Sequence, residues 1–162
     1  MTLGSSLFPL LVAAVAAVLI AAIGGTLTDL GPWYRSLAQP AWAPGDVVFP
    51  IAWTIVLALW ALAAVETWRN LPTRRDRETL LGLFALNGFL NILWSLLFFR
   101  LQRPDWALVE LLFLWASILA LMLWTRRHSR LAPWLLLPYL LWVTLAGLLN
   151  LAIVRLNGPF GV

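Results

Sequence analysis

The chain has 162 residues, of which 62% are hydrophobic and only 11% are charged. A typical soluble domain carries about 25% charged residues, so this composition excludes a water-soluble fold and makes the lipid bilayer the expected solvent. All eleven basic residues are Arg and the net charge is +4, but they lie in clusters between apolar runs. That distribution argues against nucleic-acid binding, and the absence of Cys excludes disulfides and Cys-based metal sites.

Five apolar stretches predict transmembrane helices, at about residues 7–27, 47–68, 80–99, 106–125 and 133–154. Each has about 20 residues, enough for a helix to cross about 30 Å of hydrocarbon. Because lipid offers no hydrogen-bond partners and the runs do not alternate as strands do, helices are favoured. The first stretch lacks a basic leader region and is long for a signal peptide, so it is predicted to be retained. The predicted fold class is all-α: one integral membrane domain of five helices.

The connections between these helices differ in length and charge. Residues 28–46 form the longest one and carry Trp33, Tyr34 and Trp42, which are unusual in a plain linker. Seven Arg residues lie on the side of the N-terminus and four on the opposite side. The positive-inside rule therefore predicts a cytoplasmic N-terminus and an external loop at residues 28–46.

Tryptophan is the strongest oddity of the composition, with eleven residues. Those near helix ends fit an interfacial aromatic belt. Trp53, Trp94 and Trp142 lie deeper in their predicted helices, as do Trp60 and Trp115. A deep Trp either packs in the bundle or offers a flat apolar wall and one N–H donor to a planar ligand. Both interpretations remain open on the residues alone.

The third predicted helix places Asn87, Asn91 and Trp94 on one face. An amide is costly in hydrocarbon unless it is paired, so this face is predicted to point into the bundle. The amides serve either as hydrogen bonds between helices or as polar contacts in a ligand cavity. Glu110, one turn into the fourth helix, is expected to form a buried pair with Arg103 or Arg155.

Motifs for conventional catalysis are not found. There is no Ser–His–Asp set, carboxylate pair or P-loop, which disfavours a hydrolase or a nucleotide-driven pump. His128 is the only His and lies in a loop beside three Arg residues, so it is a poor metal ligand. We therefore predict no catalytic residues, no metal site and no required cofactor.

The order of several short motifs resembles the translocator protein / tryptophan-rich sensory protein (TspO/MBR) family. Residues 33–44 read WYRSLAQPAWAP, and residues 53–54 continue with Trp-Thr. Residues 91–99 are similar to the family pattern NxxWxxxFF, and residues 106–110 read WALVE. Residues 138–142 read PYLLW, close to the family's PYLxW. Each motif alone is weak, but their shared order over about residues 25–157 is specific.

The resemblance implies a homodimeric five-helix bundle in the bacterial cell membrane. A cavity beneath the first loop would bind porphyrin-like tetrapyrroles as ligands. Leu151 stands where sterol-binding relatives carry Tyr, so sterol binding is not predicted. By motif, the residues that would line or close the cavity are Trp42, Phe49, Trp53, Asn87, Asn91, Trp94, Trp106, Trp142, Ala146 and Leu149.

Three functions follow from this resemblance. The first is a membrane receptor or carrier for a tetrapyrrole, linked to tetrapyrrole handling or stress signalling. The second is an enzyme that degrades porphyrin in a light-dependent way, with closely spaced Trp side chains taking part. The third is a regulatory membrane partner with a vestigial pocket, an alternative kept open because Leu57 and Leu151 stand where relatives carry Tyr.

Overall fold

A computed structural model describes residues 4–161 of the chain, with side chains from Leu7 onward. Five helices are long and apolar enough to cross a membrane, and no strand occurs within the described residues. The predicted all-α membrane fold is therefore confirmed. A short sixth helix, α2, lies in the connection that follows α1. The helices are α1 (Gly4–Leu27), α2 (Pro32–Ser36), α3 (Val48–Arg69), α4 (Arg74–Ser95), α5 (Pro104–Thr125) and α6 (Ala132–Asn157).

Local capping sets the start of α4, six residues before the apolar stretch that begins at residue 80. The Thr73 hydroxyl accepts a hydrogen bond from the Asp76 backbone N–H (3.1 Å) and donates one to the Asp76 carboxylate (2.6 Å). This N-cap stabilises a first turn made of polar residues, which hydrophobicity alone does not detect. At its other end α4 passes into a π-helical turn, Leu96–Arg100.

The five long helices close into a ring in the order α1, α3, α6, α5, α4, in which each helix packs against two neighbours. Two glycines allow close approach: a Cβ at Gly88 would lie 2.8 Å from Ile20, and one at Gly147 would lie 2.9 Å from Leu111. Large apolar side chains such as Phe113 remain exposed on the outside of the ring, as expected for a surface that faces lipid.

Candidate ligand cavity

A cavity of about 470 Å³ lies between α1, α3 and α4, next to the loop at residues 28–46. It sits at the end of the bundle where α1 finishes and α3 begins. Its lining combines small residues of α1 with aromatic residues of α3 and α4. The lining residues are Ile20, Ala21, Gly24, Gly25, Thr28, Leu30, Asp46, Phe49, Pro50, Trp53, Thr54, Leu57, Asn91, Trp94, Ser95 and Phe99.

Aromatic rings form much of the wall. Phe49, Trp53 and Leu57 follow one another at four-residue spacing, so one face of α3 points into the cavity. Trp53 is held from behind by Trp142, whose ring is perpendicular to it at a centroid distance of 6.3 Å. The Tyr139 ring lies 6.2 Å from Trp53 on the same side. These edge-to-face contacts fix the orientation of the Trp53 ring.

Three of the polar side chains in this wall are already hydrogen-bonded within the protein. The Thr54 hydroxyl donates to the Pro50 carbonyl (2.7 Å), and the Thr28 hydroxyl donates to that of Gly24 (2.8 Å). The Asn91 amide nitrogen donates to the Tyr139 hydroxyl (2.9 Å). Within residues 4–161, no donor reaches the Asn91 side-chain oxygen, which leaves an acceptor at a cavity-lining residue.

The loop over this end of the bundle contacts the π-helical turn that follows α4 and the end of α6. Tyr34 of α2 is buried against Phe99, with 5.7 Å between the ring centroids. Burial raises the pKa of the Tyr34 hydroxyl, while a hydrogen bond with Gln39 acts in the opposite direction. Further along the loop, the Ala38 N–H donates to the Asn157 side-chain oxygen (2.8 Å), and the Asn157 amide donates to the Ala38 carbonyl (2.9 Å). The loop is therefore fixed by both apolar and polar contacts.

Half of the ten site residues suggested by the motifs lie at the cavity. Phe49, Trp53, Asn91 and Trp94 line it. Trp142 lies behind the wall, in contact with Trp53 and with Phe49, whose ring centroid is 5.7 Å away. The motif residues that line the cavity thus come from α3 and α4, and Trp142 of α6 supports them.

The other five motif residues lie elsewhere. Trp42 and Trp106 are about half exposed, at 51% and 52%. The Arg103 guanidinium lies over the Trp106 ring, with 4.2 Å from its carbon to the ring centroid. Asn87 is fully buried: its oxygen accepts from the Trp60 indole N–H (2.9 Å) and its nitrogen donates to the Ser117 hydroxyl (2.8 Å). Leu149 of α6 is buried in the core of the bundle, and Ala146 is partly buried against that core.

The expected pair between Glu110 and an Arg residue was wrong. Within the described residues, Arg103 pairs with Asp105 instead, and neither Glu110 oxygen has a hydrogen-bond partner. The Arg103 guanidinium donates to the Asp105 carboxylate (2.8 Å), because the two residues lie two positions apart at the start of α5. Glu110 is 6% exposed, so its carboxyl group is buried in the bundle without a protein partner.

The contribution of α1 to the cavity was not predicted. Ile20, Ala21, Gly24 and Gly25 line it, but none has an aromatic or hydrogen-bonding side chain that would mark a site. A Cβ at Gly24 would meet only the Ser95 hydroxyl oxygen, at 3.9 Å. The pair Gly24-Gly25 near the end of α1 is the sequence signal of this open space.

Fold and site together define a multi-pass membrane protein with an aromatic cavity under an ordered loop. Residues 11–156 match the model of the TspO/MBR family, so the chain belongs to that family. It is 37% identical to the tryptophan-rich protein TspO of Chlorobaculum tepidum, over 77% of this chain and 79% of that one. It is also 35% identical to the protein of that name in Archaeoglobus fulgidus, over 91% and 96% of the two chains. The translocator protein of Bos taurus is 33% identical over 73% and 70%.

Proposed function

We propose that this protein binds a porphyrin-like tetrapyrrole in the cavity and serves as a membrane receptor or carrier for it. The observation that carries the proposal is the aromatic wall formed by Phe49, Trp53, Trp94 and Phe99 around about 470 Å³ of space. Small-molecule sites usually measure about 300–1,000 Å³ and combine apolar walls with a few polar groups. A planar macrocycle has the flat apolar faces that such a wall accepts.

The polar contact that would orient the ligand is the free side-chain oxygen of Asn91. A tetrapyrrole without metal has pyrrole N–H groups, which donate to such an acceptor. Because the Tyr139 hydroxyl holds the other end of the Asn91 amide, the direction of the oxygen is set before the ligand arrives. Apolar walls then supply the affinity, and Asn91 supplies the orientation.

Membrane placement completes this proposal. We place the N-terminus in the cytoplasm and the loop at residues 28–46 outside, in a bacterial cell membrane, because more Arg residues lie on the N-terminal side. A homodimer fits the family resemblance. The ligand would enter beside the loop, from the end of the bundle where Asp46 and Leu30 line the cavity.

A second candidate function is light-dependent degradation of a bound porphyrin. The perpendicular Trp53–Trp142 pair, with 6.3 Å between the ring centroids, favours it because it places oxidisable rings at the cavity wall. Molecular oxygen would be the oxidant. Illumination of the protein with excess protoporphyrin IX tests this function, since an enzyme removes many porphyrin molecules per protein and faster than light alone.

Titration of the detergent-purified protein with protoporphyrin IX, followed by Trp fluorescence quenching, tests binding. We expect saturable quenching with a dissociation constant of about 1 μM, which corresponds to a binding free energy of about −8 kcal/mol. Trp53→Phe should weaken binding by up to about tenfold, the value of an aromatic contact, and Trp142→Phe by less because Trp142 acts through Trp53. Trp134→Phe is the matched control, since Trp134 is 70% exposed and lies away from the cavity.

Filling the cavity gives an independent arm of the experiment. Gly24→Leu would occupy the space between α1 and Ser95, so we expect it to abolish saturable quenching. Ala22→Leu adds the same side chain to an exposed position of α1 and should leave binding intact. Non-saturable quenching that is equal in all variants would mean that porphyrin only enters the micelle, and the regulatory function without a ligand would then be favoured.

A further inference from the structure

A second groove, of about 300 Å³, lies on the outside of the bundle between α1, α3 and α4. It shares no lining residue with the cavity described above and lies nearer the N-terminal end of the bundle. Its walls include Phe8, Ala16, Ala64, Trp68 and Leu81. Apart from indole N–H groups its side chains are entirely apolar, and the Trp60 N–H is already bonded to Asn87. The groove therefore accepts a hydrocarbon chain and offers little to a polar ligand.

An arginine stands at the end of this groove. The Arg77 guanidinium lies over the Trp68 ring, with 5.1 Å from its carbon to the ring centroid. Arg77 is one turn before Leu80 and Leu81, both of which line the groove. In the part of the chain that the structure describes, Arg77 has no acidic partner, because Glu78 pairs with Arg74.

The charge around Arg77 is positive. Residues 69–78 carry four Arg residues against two acidic ones, and these ten residues form the end of α3, the connection and the start of α4. The Asp76 carboxylate already accepts from the Thr73 hydroxyl. An anion that approaches the end of the groove therefore meets a guanidinium fixed on an aromatic ring, in a segment of net positive charge.

From this geometry we propose that the groove is a binding site for an anionic phospholipid of the surrounding bilayer. One acyl chain lies in the groove between α1, α3 and α4, and the phosphate contacts Arg77. Guanidinium groups bind phosphate through paired, charge-assisted hydrogen bonds, and stacking on Trp68 orients Arg77 for this contact. The site is independent of the tetrapyrrole proposal, since the two share no lining residue.

A second copy of the chain fits the groove less well. A two-fold contact through this face would bring the two Arg-rich segments at residues 69–78 together at the same end of the dimer. Like charges that meet without counterions repel each other, whereas an anionic lipid neutralises them. Charge complementarity therefore selects lipid over protein as the occupant.

Native mass spectrometry of the full-length protein, with equal amounts of dioleoyl phosphatidylglycerol and dioleoyl phosphatidylcholine, tests the site. We expect one retained lipid, with phosphatidylglycerol preferred by about fivefold, the effect of one cation at the membrane surface. Arg77→Gln should remove that preference. Arg130→Gln is the matched control, because Arg130 is an exposed arginine in the α5–α6 connection and does not border the groove.

A substitution that blocks the groove distinguishes binding of the acyl chain in the groove from attraction of the lipid headgroup to Arg77. Ala64→Leu narrows the groove and should reduce retention of both lipids, while circular dichroism and the melting temperature verify that the variant folds. Equal preference for phosphatidylglycerol in Arg77→Gln and Arg130→Gln would overturn the site. A lipid-free dimer that Ala64→Leu converts to monomer would also overturn it and assign the groove to a second copy.

Discussion

Buried amides connect the helices of this bundle through side chains rather than backbone. Asn87 of α4 accepts from Trp60 of α3 and donates to Ser117 of α5, so one residue joins three helices. Each of these polar groups would be destabilising in hydrocarbon if it had no hydrogen-bond partner. Asn87 was predicted to lie in the bundle interior, either as a hydrogen bond between helices or as a polar contact in a ligand cavity. The structure shows the first of these two roles.

Replacing Asn87 by Leu should destabilise the protein by about 1–2 kcal/mol, since the Trp60 N–H and the Ser117 hydroxyl lose their partner. The measurement is the midpoint of SDS-induced unfolding from a mild detergent. A double-mutant cycle with Trp60→Phe isolates the Trp60–Asn87 bond, and the combined variant should lose less than the sum of the two single variants. Strictly additive losses would show that this hydrogen bond contributes nothing to stability.

Glu110 presents the opposite case, a buried carboxyl group with no protein partner for either oxygen. We expect Glu110→Met to stabilise the protein by about 1–3 kcal/mol, because an apolar side chain of similar length removes an unsatisfied polar group. The same unfolding midpoint measures the gain. Glu66→Met is the comparison: Glu66 accepts from the Ser129 hydroxyl (3.3 Å), so its replacement should give no gain. A loss of stability in Glu110→Met would contradict the assignment of Glu110 as unsatisfied.

The loop at residues 28–46 lies at the open end of the cavity and contributes Thr28, Leu30 and Asp46 to its lining. Its reciprocal hydrogen bonds to Asn157 join residues 119 positions apart in the chain. Asn157 also donates to the Ile153 carbonyl of its own helix (2.9 Å), which orients the amide towards the loop. The last turn of α6 therefore holds the loop, although it contributes no residue to the cavity lining.

Asn157→Leu should release this part of the loop without unfolding the bundle. We expect hydrogen–deuterium exchange of peptides that span residues 37–47 to become faster, because the Ala38 N–H loses its acceptor. Porphyrin should also dissociate faster from the variant. Asn70→Leu serves as the control, since the Asn70 side chain donates to Glu66 at the other end of the molecule and has no contact with the loop. Unchanged exchange at residues 37–47 would mean that the Tyr34 contacts alone hold the loop.

Helices were predictable where hydrophobicity defines them and less so where capping does. The apolar stretch at residues 106–125 is found as a helix at Pro104–Thr125, within two residues at its start. The start of α4 was missed by six residues because its first turn is charged, although Thr73 and Asp76 form a capping pattern visible in the sequence. The five-residue α2 was not predicted because it is too short to show a helical period.

At the scale of the whole molecule, the cavity depends on which helices become neighbours, and the sequence does not state this. The motifs placed site residues in the first loop and on the second to fifth membrane helices, α3 to α6, but the ring order also brings α1 beside α3 and α4 at the cavity. Trp142 of α6 therefore supports the wall from behind, and small residues of α1 complete it. Which residues share one face of a helix is predictable from their spacing in the sequence. Which helix lies opposite that face depends on how the helices pack.

Orientation in the membrane is the remaining property of the whole molecule, and the chain suits a direct test because it contains no Cys. Seven Arg residues against four predict that the connection with Asn70 faces the cytoplasm and that the loop with Ala41 faces outward. In intact cells a membrane-impermeant maleimide should label Ala41→Cys, and Asn70→Cys only after permeabilisation. Both positions are exposed, so accessibility within the fold does not bias the comparison, and the unmodified chain supplies the blank. The reverse pattern would place the cavity mouth on the cytoplasmic side, and a carrier would then load its ligand from inside the cell.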